Sequence, residues 1–161
     1  MSPRPGLRKR LVLSAACAGL VLSASAAGAA KPPIAGRDIL TGKRVALSQF
    51  AGKPVFVNVW GSWCYGCKAE ARTLSRFSRA HRREVAFIGI DVSDSKKGAQ
   101  AYYERFDIAY PSIWDPRSLL AGAWSRGAPT TLVFDRRHRF VQRIESASLA
   151  QLSAALRRVM R

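Results

Sequence analysis

Val55-Phe56-Val57-Asn58-Val59-Trp60-Gly61-Ser62-Trp63-Cys64-Tyr65-Gly66-Cys67 runs from an apolar segment straight into a closely spaced cysteine pair. Its first six residues form a near-continuous apolar, β-branched run, the mark of a strand buried on both faces. Gly61-Ser62 breaks the run, and a helical pattern starts near Cys64, with Ala71, Leu74 and Phe77 on one face. Arg72, Arg76, Arg79 and Arg83 form a stripe on another face, read as solvated, its last members suited to a helix C-terminus. Two cysteines separated by two residues, where a buried strand meets a helix, form a redox signature.

The chemistry follows from the spacing. Residues three apart on a helix share a face, with Cβ atoms roughly 5–6 Å apart. A disulfide wants about 3.8 Å, so a slightly adjusted first turn lets the pair close and open. Cys64 would sit where unpaired N–H groups and the positive end of the helix dipole favour a thiolate. Each unit of pKa depression from the free value of about 8.5 is roughly 1.4 kcal/mol. Cys64 is thus read as the attacking sulfur and Cys67, one turn inside, as the resolving one. Zinc sites use the same spacing, but they need four ligands, and only His81 and His138 are left to join this pair. A purely structural disulfide would close a very short loop and stabilise little.

Working outward, strands and helices alternate. Ile39 and Thr41-Gly42-Lys43 suggest a short N-terminal β-hairpin leading to Leu47-Ser48-Gln49-Phe50. Val85 to Ile90 reads as a second buried strand ending at Asp91. Ser95 can cap a helix carrying Ala99, Tyr102 or Tyr103, and Phe106. Tyr110 to Trp114 is extended, and a short helix surrounds Leu119 to Trp124. Thr131–Phe134 and Phe140–Ile144 make two strands joined by a basic turn. Ser148 then caps a last helix with Leu149, Leu152, Leu156 and Val159 inward. The order describes a three-layer α/β unit with a mixed sheet.

The 161 residues amount to about one domain, and 48% hydrophobic content excludes wholesale disorder. Met1 to Arg10 holds four basic residues and no acid, and Leu11 to Ala30 carries no charge. Residues 1–30 therefore read as a secretory signal, with an uncleaved anchor as the alternative, and Cys17 as a small apolar residue within it. Residues 31–36 follow as a linker, and 37–161 as the folded domain. Either version of the N-terminus places the domain in an extracytoplasmic, disulfide-permissive compartment. The formal net charge is +17, and +13 without residues 1–30. Such a field could attract an anionic membrane surface, but it reads first as a solvated basic surface, and with no nucleic-acid motif beside it no nucleic-acid partner is expected.

Val57 to Glu70, with Asp91, Tyr110-Pro111-Ser112-Ile113-Trp114-Asp115 and Gly127-Ala128-Pro129-Thr130-Thr131 to Asp135, resembles the exported thioredoxin-like thiol:disulfide oxidoreductases of the TlpA/ResA type. The likeness spans about residues 34 to 160. It implies a thioredoxin fold: a mixed central sheet flanked by helices, with an N-terminal β-hairpin extension. It implies catalytic Cys64 and Cys67, supported by Pro129, Glu70, Trp63 and Thr130, with Pro129 cis and facing the cysteines. It implies no cofactor beyond the disulfide and no metal. Protein thiols and disulfides are the expected substrates, and a membrane electron carrier the expected partner, with cytochrome c maturation a candidate setting. The chain departs from the family pattern at Gly66 and Arg72, where relatives usually carry proline. Asn58 stands where thioredoxin itself has a buried Asp, so that proton relay is absent. Glu70 matches a glutamate just past the second cysteine, expected to tune the redox pair. Oxidation of secreted thiols, a peroxiredoxin-like peroxidase and a non-catalytic binding module remain alternative readings.

Overall fold

The computed structural model describes Met1 and residues 31–161. The signal or anchor reading of residues 1–30 rests on residues 2–30, Cys17 included, which lie outside the described residues. Lys31–Arg161 form one compact unit. Among the described residues, no helix is long and apolar enough to cross a membrane.

A five-stranded sheet in the order β5-β4-β3-β6-β7 forms the middle layer. Its strands are β3 (Val55–Trp60), β4 (Ala86–Val92), β5 (Ser112–Asp115), β6 (Thr130–Phe134) and β7 (Phe140–Ile144). The strands β5, β4 and β3 run parallel, and β6 and β7 are antiparallel to their neighbours. The sheet is therefore mixed, as the alternating pattern implied. All six residues of β3 are buried. Val55, Val57 and Val59 face a core with Ile34, Val45 and Ala121, while Phe56 faces one with Leu74, Phe77 and Leu152. Two covered faces explain why this strand has no polar alternation.

The first face is covered by the hairpin, β1 (Ala35–Arg37) with β2 (Arg44–Ala46), and by the short helix α3 (Leu119–Trp124). The other carries α1 (Tyr65–Ala80), α2 (Lys96–Phe106) and α4 (Leu149–Val159). Ser95 and Ser148 cap α2 and α4 as their hydroxyls suggested, accepting from Gly98 and Gln151 N–H groups. Gln151 returns a bond to the Ser148 N–H, completing a capping box. Gly89 in β4 leaves room for a crossing contact: the Trp60 indole N–H donates to Ser112 Oγ over it (3.0 Å). A Cβ on residue 89 would run into that hydroxyl and sit 2.7 Å from Trp60 Nε1.

Three expectations change. The domain begins before residue 37: Ile34 is buried, β1 starts at Ala35, and the Trp124 indole donates to Pro32 O (2.9 Å). The stretch read as a linker thus supplies a core residue and a strand. Leu149 points outward at 60% exposure, leaving the inward face of α4 to Leu152, Ala155, Leu156 and Val159. Helical side chains lean over the preceding turn, and the first residue of α4 has none. The arginine stripe is not simply solvated. Arg72 donates to Arg105 O (2.9 Å), and Arg79 to Asp107 O (2.9 Å) and its carboxylate, so the two satisfy the carbonyl end of α2.

Candidate active site

Trp60 ends the central strand β3, and Gly61-Ser62-Trp63 turn the chain into α1. Two anchors hold this turn. The Asp94 carboxylate accepts the Ser62 N–H and the Ser62 hydroxyl (2.8 Å for the latter). The Trp63 indole N–H donates to Val92 O (3.0 Å). Cys64 is thereby delivered to the N-cap of α1 in extended conformation, and its Sγ accepts the Cys67 N–H (3.1 Å). No acidic residue lies in the first turn of α1, so the dipole's positive end at the sulfurs is undiminished. Cys64 and Cys67 are joined by a disulfide, with their Cα atoms 5.2 Å apart.

Both cysteines are buried, at 4% and 1% exposure, while Trp63 and Tyr65 on either side of Cys64 are 55% and 88% exposed. The sulfurs therefore lie just below an aromatic rim. The Ala128–Pro129 bond is cis. A Cβ on residue 66 would lie 3.0 Å from Pro129 Cγ, so Gly66 lets the proline ring close onto the redox turn. Thr130 is placed differently: its hydroxyl donates to Gly127 O (2.8 Å), bracing the segment before Pro129. Next to Trp63 a groove of about 240 Å³ runs past Val92, Gly122, Arg126 and Ala128.

Glu70 lies one turn beyond Cys67 on the buried face of α1. Its carboxylate accepts from Asn58 Nδ2 (3.3 Å) and from the Ala147 N–H. Burial pushes this carboxyl up to about 7, against the opposing pull of those two hydrogen bonds. Asn58 is the hub beneath the cysteines: it also donates to Thr131 Oγ1 (3.4 Å) and accepts the Tyr110 hydroxyl (3.2 Å). The Tyr102 hydroxyl donates to Cys67 O (2.8 Å), and its ring stacks on Trp60 with centroids 4.3 Å apart.

Cys64, Cys67, Pro129, Glu70 and Trp63 are thus grouped around one turn, with Thr130 set back. Sequence reasoning missed Tyr102, Thr131, Tyr110 and Asp94 as parts of the site. Tyr110 and Thr131 carried a signal, inside the segments that resemble the family, and so did Asp94, as an acid just before the Ser95 cap.

A thioredoxin fold with a cysteine pair at the first helix after the central strand defines a thioredoxin-like domain. The chain belongs to the AhpC/TSA family, whose model matches residues 28–143. It is 29% identical over 116 residues to the thiol-disulfide oxidoreductase ResA of Geobacillus kaustophilus, covering 71% of this chain and 66% of that one. The chain spans a little under two thirds of the length of the curated relatives it matches first. Its fold is similar to a secreted thiol-disulfide isomerase from Corynebacterium glutamicum (TM-score 0.70, 29% identity, 81% of this chain and 85% of that one). A DsbF homologue from Corynebacterium diphtheriae is similar to the same degree (TM-score 0.70, 29% identity, 78% and 83% covered).

Proposed function

We propose that the chain is a thiol-disulfide oxidoreductase that exchanges the Cys64–Cys67 disulfide with cysteine pairs of exported proteins. The observation that carries this reading is the disulfide at the N-cap of α1, under an exposed aromatic rim. The relatives named as thiol-disulfide oxidoreductases support it.

In the reducing direction, the Cys64 thiolate attacks one sulfur of a substrate disulfide. A mixed disulfide forms, and the first substrate sulfur leaves as a thiolate. Cys67 then gives up its proton and attacks Cys64 Sγ, which breaks the mixed disulfide, releases the second substrate thiol and restores the Cys64–Cys67 bond. The N–H of Cys67 already points at Cys64 Sγ and stabilises negative charge there. Glu70, whose carboxyl lies near 7, is the group that takes and returns the Cys67 proton, because a base poised near neutral pH transfers protons in both directions. Pro129 and the groove past Trp63 and Arg126 hold the substrate chain beside the sulfurs.

The setting is extracytoplasmic, which a basic, uncharged-cored N-terminus supports. A membrane electron carrier supplies or drains the electrons, and cytochrome c precursors are among the candidate substrates. No cofactor besides the disulfide takes part. A peroxiredoxin's attacking cysteine normally has no partner two residues on, whereas Cys67 follows Cys64 at that spacing. The test is a redox titration of the full chain against glutathione and dithiothreitol, alongside insulin reduction and peroxide turnover. A reversible two-electron couple between about −270 and −120 mV, with insulin turnover, is expected. Peroxide turnover without insulin turnover would refute the proposal.

A further inference from the structure

The end of β4 carries a carboxyl group that disulfide exchange leaves unused. Asp91 is wholly buried, and neither of its oxygens makes a hydrogen bond. It lies in register between Trp60 of β3 and Trp114 of β5. Asp94 from the β4–α2 connection and Asp115 from the end of β5 act on it, and it acts on Tyr102 and Tyr103 of α2. The Glu70 carboxylate of α1 acts on the same Tyr102 through its charge. These are acids and phenols, and among the described residues no basic side chain pairs with Asp91. An ionised carboxylate here would have neither a donor nor a counter-ion, so burial favours the protonated form. Burial first, and the Asp94 charge second, push the Asp91 carboxyl up to about 8. At neutral pH it keeps its proton.

This strand end is also where the redox turn hangs. One residue on, Val92 O holds the Trp63 indole, and three residues on, the Asp94 carboxylate holds Ser62. We propose that Asp91 is a positioning residue for the redox turn, a proton-holding carboxyl whose ionisation sets a second negative charge against Asp94 beneath Ser62-Trp63 and disfavours the Cys64 thiolate. While Asp91 is neutral, the one charge on Asp94 is shared among three donors: the Ser62 N–H, the Ser62 hydroxyl and the Ser95 N–H. When Asp91 loses its proton to solvent, by way of the half-buried Asp94, two like charges oppose each other. The hold on Ser62 loosens, and the added charge raises the cost of a thiolate at Cys64. Thiolate formation, which ordinarily rises steadily with pH, is then held back in the alkaline range.

The inference rests on the exchange reading of Cys64, and its test separates the two. The parent is the full chain carrying Glu70→Gln and Cys67→Ser, so that Asp91 and Cys64 titrate without their neighbours. Its infrared spectrum should show the C=O stretch of a protonated carboxylic acid at neutral pH, fading around pH 8. Adding Asp91→Asn should abolish that band. It should also lower the apparent pKa of the Cys64 thiol, followed by thiolate absorbance, by about half a unit, roughly threefold in ionisation constant. Where Asp91→Asn does not fold, Asp94→Asn serves instead and should move the carboxyl titration to lower pH. A parent without the neutral-pH band, a Cys64 titration unmoved by Asp91→Asn, or a carboxyl titration unmoved by Asp94→Asn overturns the proposal. Insulin turnover by the unmodified chain decides the exchange reading on its own.

Discussion

Replacing Glu70 by Gln should make stability less dependent on pH, with the advantage passing from the wild type to the variant as pH rises. In the folded chain burial lifts the Glu70 carboxyl from 4.5 to about 7. Between those values the folded state binds more protons than the unfolded state, so stability falls as pH rises through that window. At about 1.4 kcal/mol per unit, this group alone removes about 3 kcal/mol between pH 4.5 and pH 7. The Gln side chain has no proton to lose. Its amide oxygen can accept from Asn58 or from the Ala147 N–H, but its NH2 group must face the other donor. That mismatch costs about 1–3 kcal/mol at every pH. The wild type should therefore be the more stable protein in acid, and the two should draw level or change places above neutrality. Urea unfolding of both oxidised proteins across this range gives the difference directly, because every other titrating group, Asp91 included, is common to both. A difference that stays constant within about 1 kcal/mol would show that Glu70 is not held in its neutral form, and the reasoning would fail.

Cys67→Ser should accumulate mixed disulfides through Cys64, seen by mass spectrometry, whereas Cys64→Ser should abolish insulin turnover; turnover surviving in Cys64→Ser would reassign the nucleophile. Gly66→Ala removes a helix penalty of about 1 kcal/mol, but the new Cβ meets the Pro129 ring at 3.0 Å, so the measured gain in urea should fall well below that figure. A full gain would mean that the ring does not rest on the redox turn. Asp115→Ala takes acceptors from the Leu119 and Ala121 N–H groups and should cost about 0.5–2 kcal/mol. Hydrogen exchange should quicken in α3 while β3 stays protected, and equal quickening in both would count against a local cap.

Much of the domain was legible because its signals are local. The apolar run of β3, the Ser95 and Ser148 caps, and the Leu119–Trp124 helix each announce themselves within a few residues. The cysteine pair does so within four. What stayed hidden depends on residues far apart in the chain. Glu70 meets Asn58 across 12 residues and Ala147 across 77, and Ser62 meets Asp94 across 32. Periodicity carries no information about such pairs. Arg72 looked like one member of a solvated stripe because its acceptor, Arg105 O, belongs to another helix. Ile34 and Ala35 looked like linker because two residues are too few to show a pattern. The place of Ala35 in a strand comes from the antiparallel partner at Arg44–Ala46, and Ile34, buried in the core, is held beside it by the Leu47 N–H.

The crossing of Trp60 over Gly89 onto Ser112 ties three strands into one unit of inheritance. A side chain at 89 cannot be tolerated while Ser112 and Trp60 keep their places. Losing the Ser112 hydroxyl leaves a buried indole N–H without an acceptor. Single changes at 60, 89 or 112 should thus be rare among functional descendants of this chain, and compensated double or triple changes comparatively common. Across an alignment of its relatives these three columns, distant from one another in sequence, should vary together.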